Sequence, residues 1–180
     1  MDRIKDTADR ILYECGLKRV LEKYGEVHIV GSYYIDAMAW NDLDVYVDNR
    51  TMTTEKLYAL TSELLTAFNP SWYEAKHEIH DGNNVWFHGF EAMLFNELWN
   101  IDIWFFNEES IQKTEGYCAG IKQQLEQDPI KKKATIEIKR ELIERGLYSF
   151  DKYTSMDVYK AVLEQNIYSI DEFISNYNRT

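Results

Sequence analysis

Apolar residues recur at helical spacing over residues 2–24, where Ile4, Ala8, Ile11, Leu12 and Cys15 are followed by Val20, Leu21 and Tyr24. Gly16 is placed to break this helix and Gly25 to end it. The period then shortens. Val27-His28-Ile29-Val30 reads as a first strand closed by Gly31-Ser32, Tyr33 to Met38 as a short helical turn, and Leu43 to Asp48 as a second strand. Thr53 or Thr54 caps the next helix, whose Leu57, Leu60, Leu64 and Phe68 share one face until Asn69-Pro70 stops it. Two extended segments, Trp72–His80 and Val85–Phe95, flank the hairpin signal Asp81-Gly82-Asn83-Asn84, and Ile101–Phe106 adds another strand.

Beyond Asn107 the pattern is helical throughout. Gly146 closes one helix, Thr154 or Ser155 opens the next, and Ser169-Ile170-Asp171-Glu172 reads as a capping box ahead of the stripe Ile170, Phe173, Ile174 and Tyr177. The elements predict an α+β fold: a mixed β-sheet flanked by helices over residues 1–107, then a helical region over residues 108–180 packed on that core.

The strand pattern contains acids that ought not to be there. In the second strand Asp42, Asp44 and Tyr46 share one face, while Leu43, Val45 and Val47 share the other. In Trp99-Asn100-Ile101-Asp102-Ile103-Trp104-Phe105-Phe106, the most hydrophobic segment of the chain, Asp102 alternates with Ile101 and Ile103. An unpaired carboxylate in a buried strand is costly. If the two strands are neighbours, three acids converge and repel one another unless cations are present. Hard oxygen ligands with open positions suit Mg²⁺ or Mn²⁺ held jointly with phosphate oxygens. Gly31-Ser32 supplies a turn at which the backbone can approach a phosphate and Ser32 can donate to it.

Composition narrows the partners. The formal net charge is −11, and the densest basic cluster, Lys131-Lys132-Lys133 with Lys139 and Arg140, is interleaved with Glu137 and Glu141. A protein that grips a nucleic-acid backbone normally shows a basic stripe, so a nucleic-acid partner is disfavoured and a small cationic or neutral molecule fits the field better. Cys15 and Cys118 lack metal-type spacing and read as buried free thiols. The charged N-terminus and the absence of a membrane-length apolar run predict a cytoplasmic protein with no membrane contact.

Gly31-Ser32, a nine-residue gap, Asp42-Leu43-Asp44, and Asp102 in a later apolar strand together resemble the nucleotidyltransferase superfamily with the DNA-polymerase-β-type palm, which includes the small antibiotic-modifying nucleotidyltransferases. The match covers about residues 24–106. The resemblance implies a nucleotidyltransferase-type mixed sheet and a helical tail that shapes the acceptor pocket. It implies that Asp42, Asp44 and Asp102 bind metal, that Asp102 receives or orients the proton of the acceptor hydroxyl, and that Gly31 and Ser32 hold the triphosphate. The implied reaction moves a nucleoside monophosphate from a nucleoside triphosphate, ATP first among them, to a hydroxyl of a small-molecule acceptor and releases pyrophosphate. Small members can build their site across a homodimer. A protein-modifying, antitoxin-like transferase and a catalytically silent nucleotide-binding module are the alternatives. Where many small relatives continue Gly-Ser-x-Ala-Arg-Gly, this chain has Tyr33-Tyr34-Ile35-Asp36, which argues against the antitoxin-like subgroup. The missing arginine leaves the triphosphate charge to Lys113, Lys122, Lys139 or Arg140.

Other polar residues carry weaker signals. His77 and His80 fall on opposite faces of one strand, and with His88 they read as surface or hairpin histidines. Glu91 reads as a solvated strand-edge residue, with a role near the acceptor as the rarer reading. Tyr33, Tyr34 and Trp40 either stack on a ring or pack beneath their loop. Lys131 to Lys133 read as a solvated helix face. No hydrolase triad, dinucleotide-binding glycine motif or Walker-type loop is present.

Overall fold

The computed structural model describes residues 3–80 and 82–177; Asp2, assigned above to the first helix, and Asp81 of the hairpin signal lie outside the described residues. Helix α1 (Arg3–Asp9) runs into a π-helical turn (Arg10–Glu14), and α2 (Leu17–Leu21) follows a break at Gly16, whose φ of +81° suits glycine. Then come β1 (Val27–Ile29), α3 (Gly31–Ile35), β2 (Asp42–Asp48) and α4 (Thr54–Phe68). Thr53 caps α4 by accepting from the Lys56 N–H, and Leu57, Leu60, Leu64 and Phe68 are buried as their spacing requires.

Strands β3 (Trp72–His80), β4 (Asn83–Leu94) and β5 (Glu97–Phe106) complete one five-stranded sheet of order β1-β2-β5-β4-β3. Among the described strands of this sheet only the β2–β5 pair is parallel. β5 begins earlier than the pattern suggested. Phe95 and Asn96 both take positive φ, the geometry of a tight hairpin turn, and the pairing of β4 with β5 runs from Leu94 opposite Glu97 to Trp86 opposite Phe105.

One face of the sheet packs its Leu43, Val45, Ile101, Ile103 and Phe105 against the N-terminal helices and α4. On the C-terminal side, α5 (Glu108–Gln127), α6 (Pro129–Glu144), α7 (Ser155–Glu164) and α8 (Ile170–Asn176) follow in order. Helices α6 to α8 share a core around Ile138, Val158 and Phe173, and a third cluster joins Val30, Ile35 and Ala37 to Cys118, Ile121, Leu125 and Tyr159. That third cluster seats the helical region beside the acid-bearing face.

Four expectations need correction. Cys15 is exposed, because the π-helical turn rotates it off the apolar face; only Cys118 is buried. Ile174 is exposed on the short α8. Glu91 lies on the interior strand β4 and is half-buried. Lys131 and Lys132 are half-buried rather than solvated, the first donating to the Leu163 carbonyl and the second paired with Asp36. Among the described residues no helix is long and apolar enough to cross a membrane.

Candidate active site

Strand register brings the acids together. Asp44 of β2 stands directly beside Asp102 of β5, and Asp42 beside Asn100. Parallel neighbours lie about 4.8 Å apart and share a face, so all three carboxylates project from one patch of sheet. The Asn100 side-chain amide donates to Asp42 Oδ1 at 2.8 Å, and the Trp40 indole adds a second hydrogen bond to that carboxylate.

The electrostatics follow from this crowding. Burial, then the neighbouring Asp42 and Asp102 charges, push Asp44 up to about 8, partly opposed by Lys139. Burial and Asp42 raise Asp102 to about 6, with Glu74 adding to the shift and Asn100 opposing it. Asp42 is raised by burial against the pull of Asn100 and Lys139. One lysine does not balance three carboxylates, and their hard oxygens suit Mg²⁺ or Mn²⁺. Among the described residues no three acidic, histidine or cysteine side chains are placed to hold a metal ion together. An open set of this kind fits a small divalent ion that takes its remaining ligands from water and substrate phosphates.

The Gly31-Ser32 turn borders the patch. A Cβ on Gly31 would lie 2.2 Å from Asp44 Oδ2, so the turn backbone and the carboxylate are in direct contact. The Gly31 amide is already hydrogen-bonded to the buried Cys118 sulfur. Ser32 is half-buried; its carbonyl accepts from the Ala37 N–H at 2.9 Å, and its hydroxyl has no hydrogen-bond partner among the described residues, which leaves it for a ligand.

Lys139 is the candidate cation that reaches the acids. It is fully buried on α6, donates to the Ala37 carbonyl at 2.9 Å and to the Tyr159 hydroxyl at 3.3 Å, and lies 5.0 Å from the centre of the Trp40 ring. Burial lowers it to about 8, and the Asp42 and Asp44 charges pull the other way. Lys122 instead sits at the Tyr34 carbonyl and pairs with Glu126, and Arg140 is exposed.

The topology has counterparts among solved structures. The chain superposes on Cid1 poly(U) polymerase bound to MgATP with a TM-score of 0.64 at 18% identity, covering 93% of this chain and 51% of that one. The non canonical poly(A) polymerase complex GLD-2 – GLD-3 gives 0.58 at 14% identity, covering 99% and 59%. The chain shares the fold of these polymerases. A cytoplasmic RNA terminal U-transferase shares it too, with a TM-score of 0.59 at 17% identity over 91% of this chain and 48% of the other. The chain spans about half the length of these nucleotidyltransferase-fold structures. No family model matches the chain and no curated protein matches it.

Several residues of the site carried weak or misread signals in the sequence. Asn100 shares the β5 face with Asp102 and could have been found by alternation. Trp40 is wedged edge-on against Tyr148, with ring centres 4.5 Å apart, and so holds its indole toward Asp42. Tyr33 packs beneath the loop, its hydroxyl donating to Asp9 and its ring under Lys5. His77 and His80 are exposed and bonded to Asn84 and Glu78, away from the acids. His88 corrects the surface reading: it is fully buried on the inward face of β4, bonded through Nδ1 to the Tyr73 hydroxyl at 2.5 Å.

Proposed function

We propose that the protein is a metal-dependent nucleotidyltransferase that moves a nucleoside monophosphate from a nucleoside triphosphate, with ATP the first candidate, to a hydroxyl of a small-molecule acceptor. The observation that carries this reading is the alignment of Asp44 with Asp102 across β2 and β5, with Gly31 packed on Asp44. Asp42, Asp44 and Asp102 would hold Mg²⁺ or Mn²⁺, as nucleotide-bound structures of this fold contain MgATP or MgGTP. A divalent ion there neutralises the phosphate charge that develops during transfer. Ser32 donates its hydroxyl to a phosphate oxygen, and the Lys139 ammonium faces the same charge from below.

Transfer forms a bond from the acceptor oxygen to the α-phosphorus and breaks the bond from that phosphorus to the bridging oxygen of the β-phosphate. Pyrophosphate departs with the bonding electron pair, and the hydroxyl proton passes to Asp102. Solved structures of this fold act on RNA, but a net charge of −11 without a basic stripe opposes a polynucleotide here.

The test uses ATP labelled at the α-phosphate with small hydroxylated acceptors, alongside Mn²⁺ binding followed by electron paramagnetic resonance. Label transfer and Mn²⁺ binding are expected in the wild type, and both are expected to be lost in Asp44→Asn. Undiminished transfer in that variant overturns the reading.

A further inference from the structure

We propose that Trp40 is a positioning residue for Asp42 and that Tyr148, on the connection between α6 and α7, holds it in place, so that the helical region sets the affinity of the acid row for a divalent ion. The inference rests on the nucleotidyl-transfer reading above, in which Asp42 binds metal.

Asp42 needs restraint more than the other two acids. It is the first residue of β2, where the ladder begins, while Asp44 and Asp102 lie inside their strands. It also faces the charges of those two neighbours, which push a loosely held carboxylate out of the row. The backbone around it is tightly knitted: the Asp42 N–H donates to the Trp40 carbonyl at 3.0 Å, and the Asn100 N–H donates to the Asn41 carbonyl at 3.0 Å. The side chain is left to two donors. Asn100 divides its own side chain between Asp42, at 2.8 Å, and Asp102. Trp40 has a single indole N–H and gives it to Asp42.

The Trp40 ring is fixed in turn from the helical region. Tyr148 meets it edge-on at 65°, with ring centres 4.5 Å apart, and Lys139 Nζ of α6 stands 5.0 Å from its centre. Tyr148 is itself tied at both ends. Its N–H donates to the Leu142 carbonyl at 3.2 Å, its hydroxyl is hydrogen-bonded to Ser155 Oγ at 3.1 Å, and it packs on the core shared by α6 to α8. An unbroken line of contact therefore runs from that core through Tyr148 and Trp40 to Asp42.

Packing alone does not call for tryptophan here. The residue is half-buried, and a phenylalanine ring would offer Tyr148 a similar contact. What the indole adds is a donor with no acceptor, which can only present a proton to the carboxylate. Hydrogen-bond partners of this kind, which orient a metal ligand without touching the metal, typically govern about 10–100-fold in metal affinity or activity.

The test titrates Mn²⁺ into the full chain without nucleotide, followed by electron paramagnetic resonance, in the wild type, Trp40→Phe and Tyr148→Leu. Both variants are expected to stay folded by circular dichroism and to bind Mn²⁺ about tenfold more weakly or worse. In label transfer from α-labelled ATP, the Mn²⁺ concentration for half-maximal rate is expected to rise in Trp40→Phe while the rate at saturating Mn²⁺ is retained, a split that a merely damaged fold would not give. Wild-type Mn²⁺ affinity in either folded variant overturns the inference, and so does a loss of rate that saturating Mn²⁺ does not recover. If Trp40→Phe does not fold, Tyr148→Leu, which leaves the indole in place, decides alone. Asp44→Asn separates the two levels. Mn²⁺ binding that is lost in that variant and unchanged in Trp40→Phe leaves the nucleotidyl-transfer reading standing without the positioning role, and a wild type that binds no Mn²⁺ removes both.

Discussion

Gly31 and Asp44 touch so closely that no other residue fits between the turn and the strand: a Cβ at position 31 would lie 2.2 Å from Asp44 Oδ2. The glycine also sits at φ +62°, a left-handed conformation that costs other residues about 1–2 kcal/mol. Gly31→Ala must therefore displace the carboxylate as well as strain the turn. A displacement near 1 Å at a reacting centre can cost about 100-fold in rate. Label transfer should fall by that order while the protein stays folded with a modestly lowered Tm. Full activity in a folded Gly31→Ala protein would show that the contact has no part in catalysis.

Asp44 gives a prediction about stability as well as activity. Its carboxyl is pushed up to about 8 by burial and by Asp42 and Asp102. A carboxyl whose pKa rises on folding favours the folded state only while protonated. Stability of the metal-free protein therefore declines as pH climbs from about 4, the unfolded value, toward 8. Asp44→Asn removes that penalty and should raise the metal-free Tm near pH 8, by about 2–4 °C for each kcal/mol relieved. Mg²⁺ should raise the Tm of the wild type and leave the variant unmoved. A variant less stable than the wild type without metal, at a pH near 8, would contradict this account of the cluster.

Much of the site was legible because side chains alternate along strands. Asp42 and Asp44 had to share a face, and Asp102 had to break an apolar run. The adjacency of β2 and β5 was not legible, since it joins strands more than fifty residues apart and depends on a register that no local pattern records. Lys139 could not be chosen over Lys113, Lys122 or Arg140, because the choice depends on how α6 packs against the loop at Ala37. His88 was misread although the signal was there: it alternates in phase with Trp86, Phe90 and Ala92, all of them buried. Gly89, lying within a strand, likewise marked a close approach.

His88 makes the acid side of the stability profile measurable. It is buried with its Nε2 unpartnered, and burial pushes its pKa down to about 4. The ring is neutral in the fold and takes up a proton more readily once unfolded. Its contribution is thus complete above about 6.5 and is lost as pH falls toward 4, by about 3 kcal/mol in all. His88→Asn should unfold at lower urea than the wild type at neutral pH, with the difference shrinking steadily across that window. A difference that stays constant between those limits would mean that His88 is not kept neutral by its surroundings.

Lys139 joins the helical region to the chemistry. Its ammonium is fully buried beneath Trp40 and Tyr159, is fixed by the Ala37 carbonyl, and faces Asp42 and Asp44. Burial lowers its pKa to about 8 against the pull of the two acids. Above that value the folded protein sheds the proton before the unfolded chain does, so the cost of burying the charge disappears, and with it the positive field offered to a triphosphate. ATP affinity measured by titration should therefore weaken as pH passes through about 8. Lys139→Met should bind ATP at least about tenfold more weakly at neutral pH, the order expected for loss of one charge-assisted contact, and should lack the alkaline limb. Lys139→Arg should not restore binding, because a planar guanidinium cannot occupy a fully buried point defined by one carbonyl and one hydroxyl. Restoration by arginine, or an alkaline limb that persists in the methionine variant, would place the triphosphate's positive partner elsewhere.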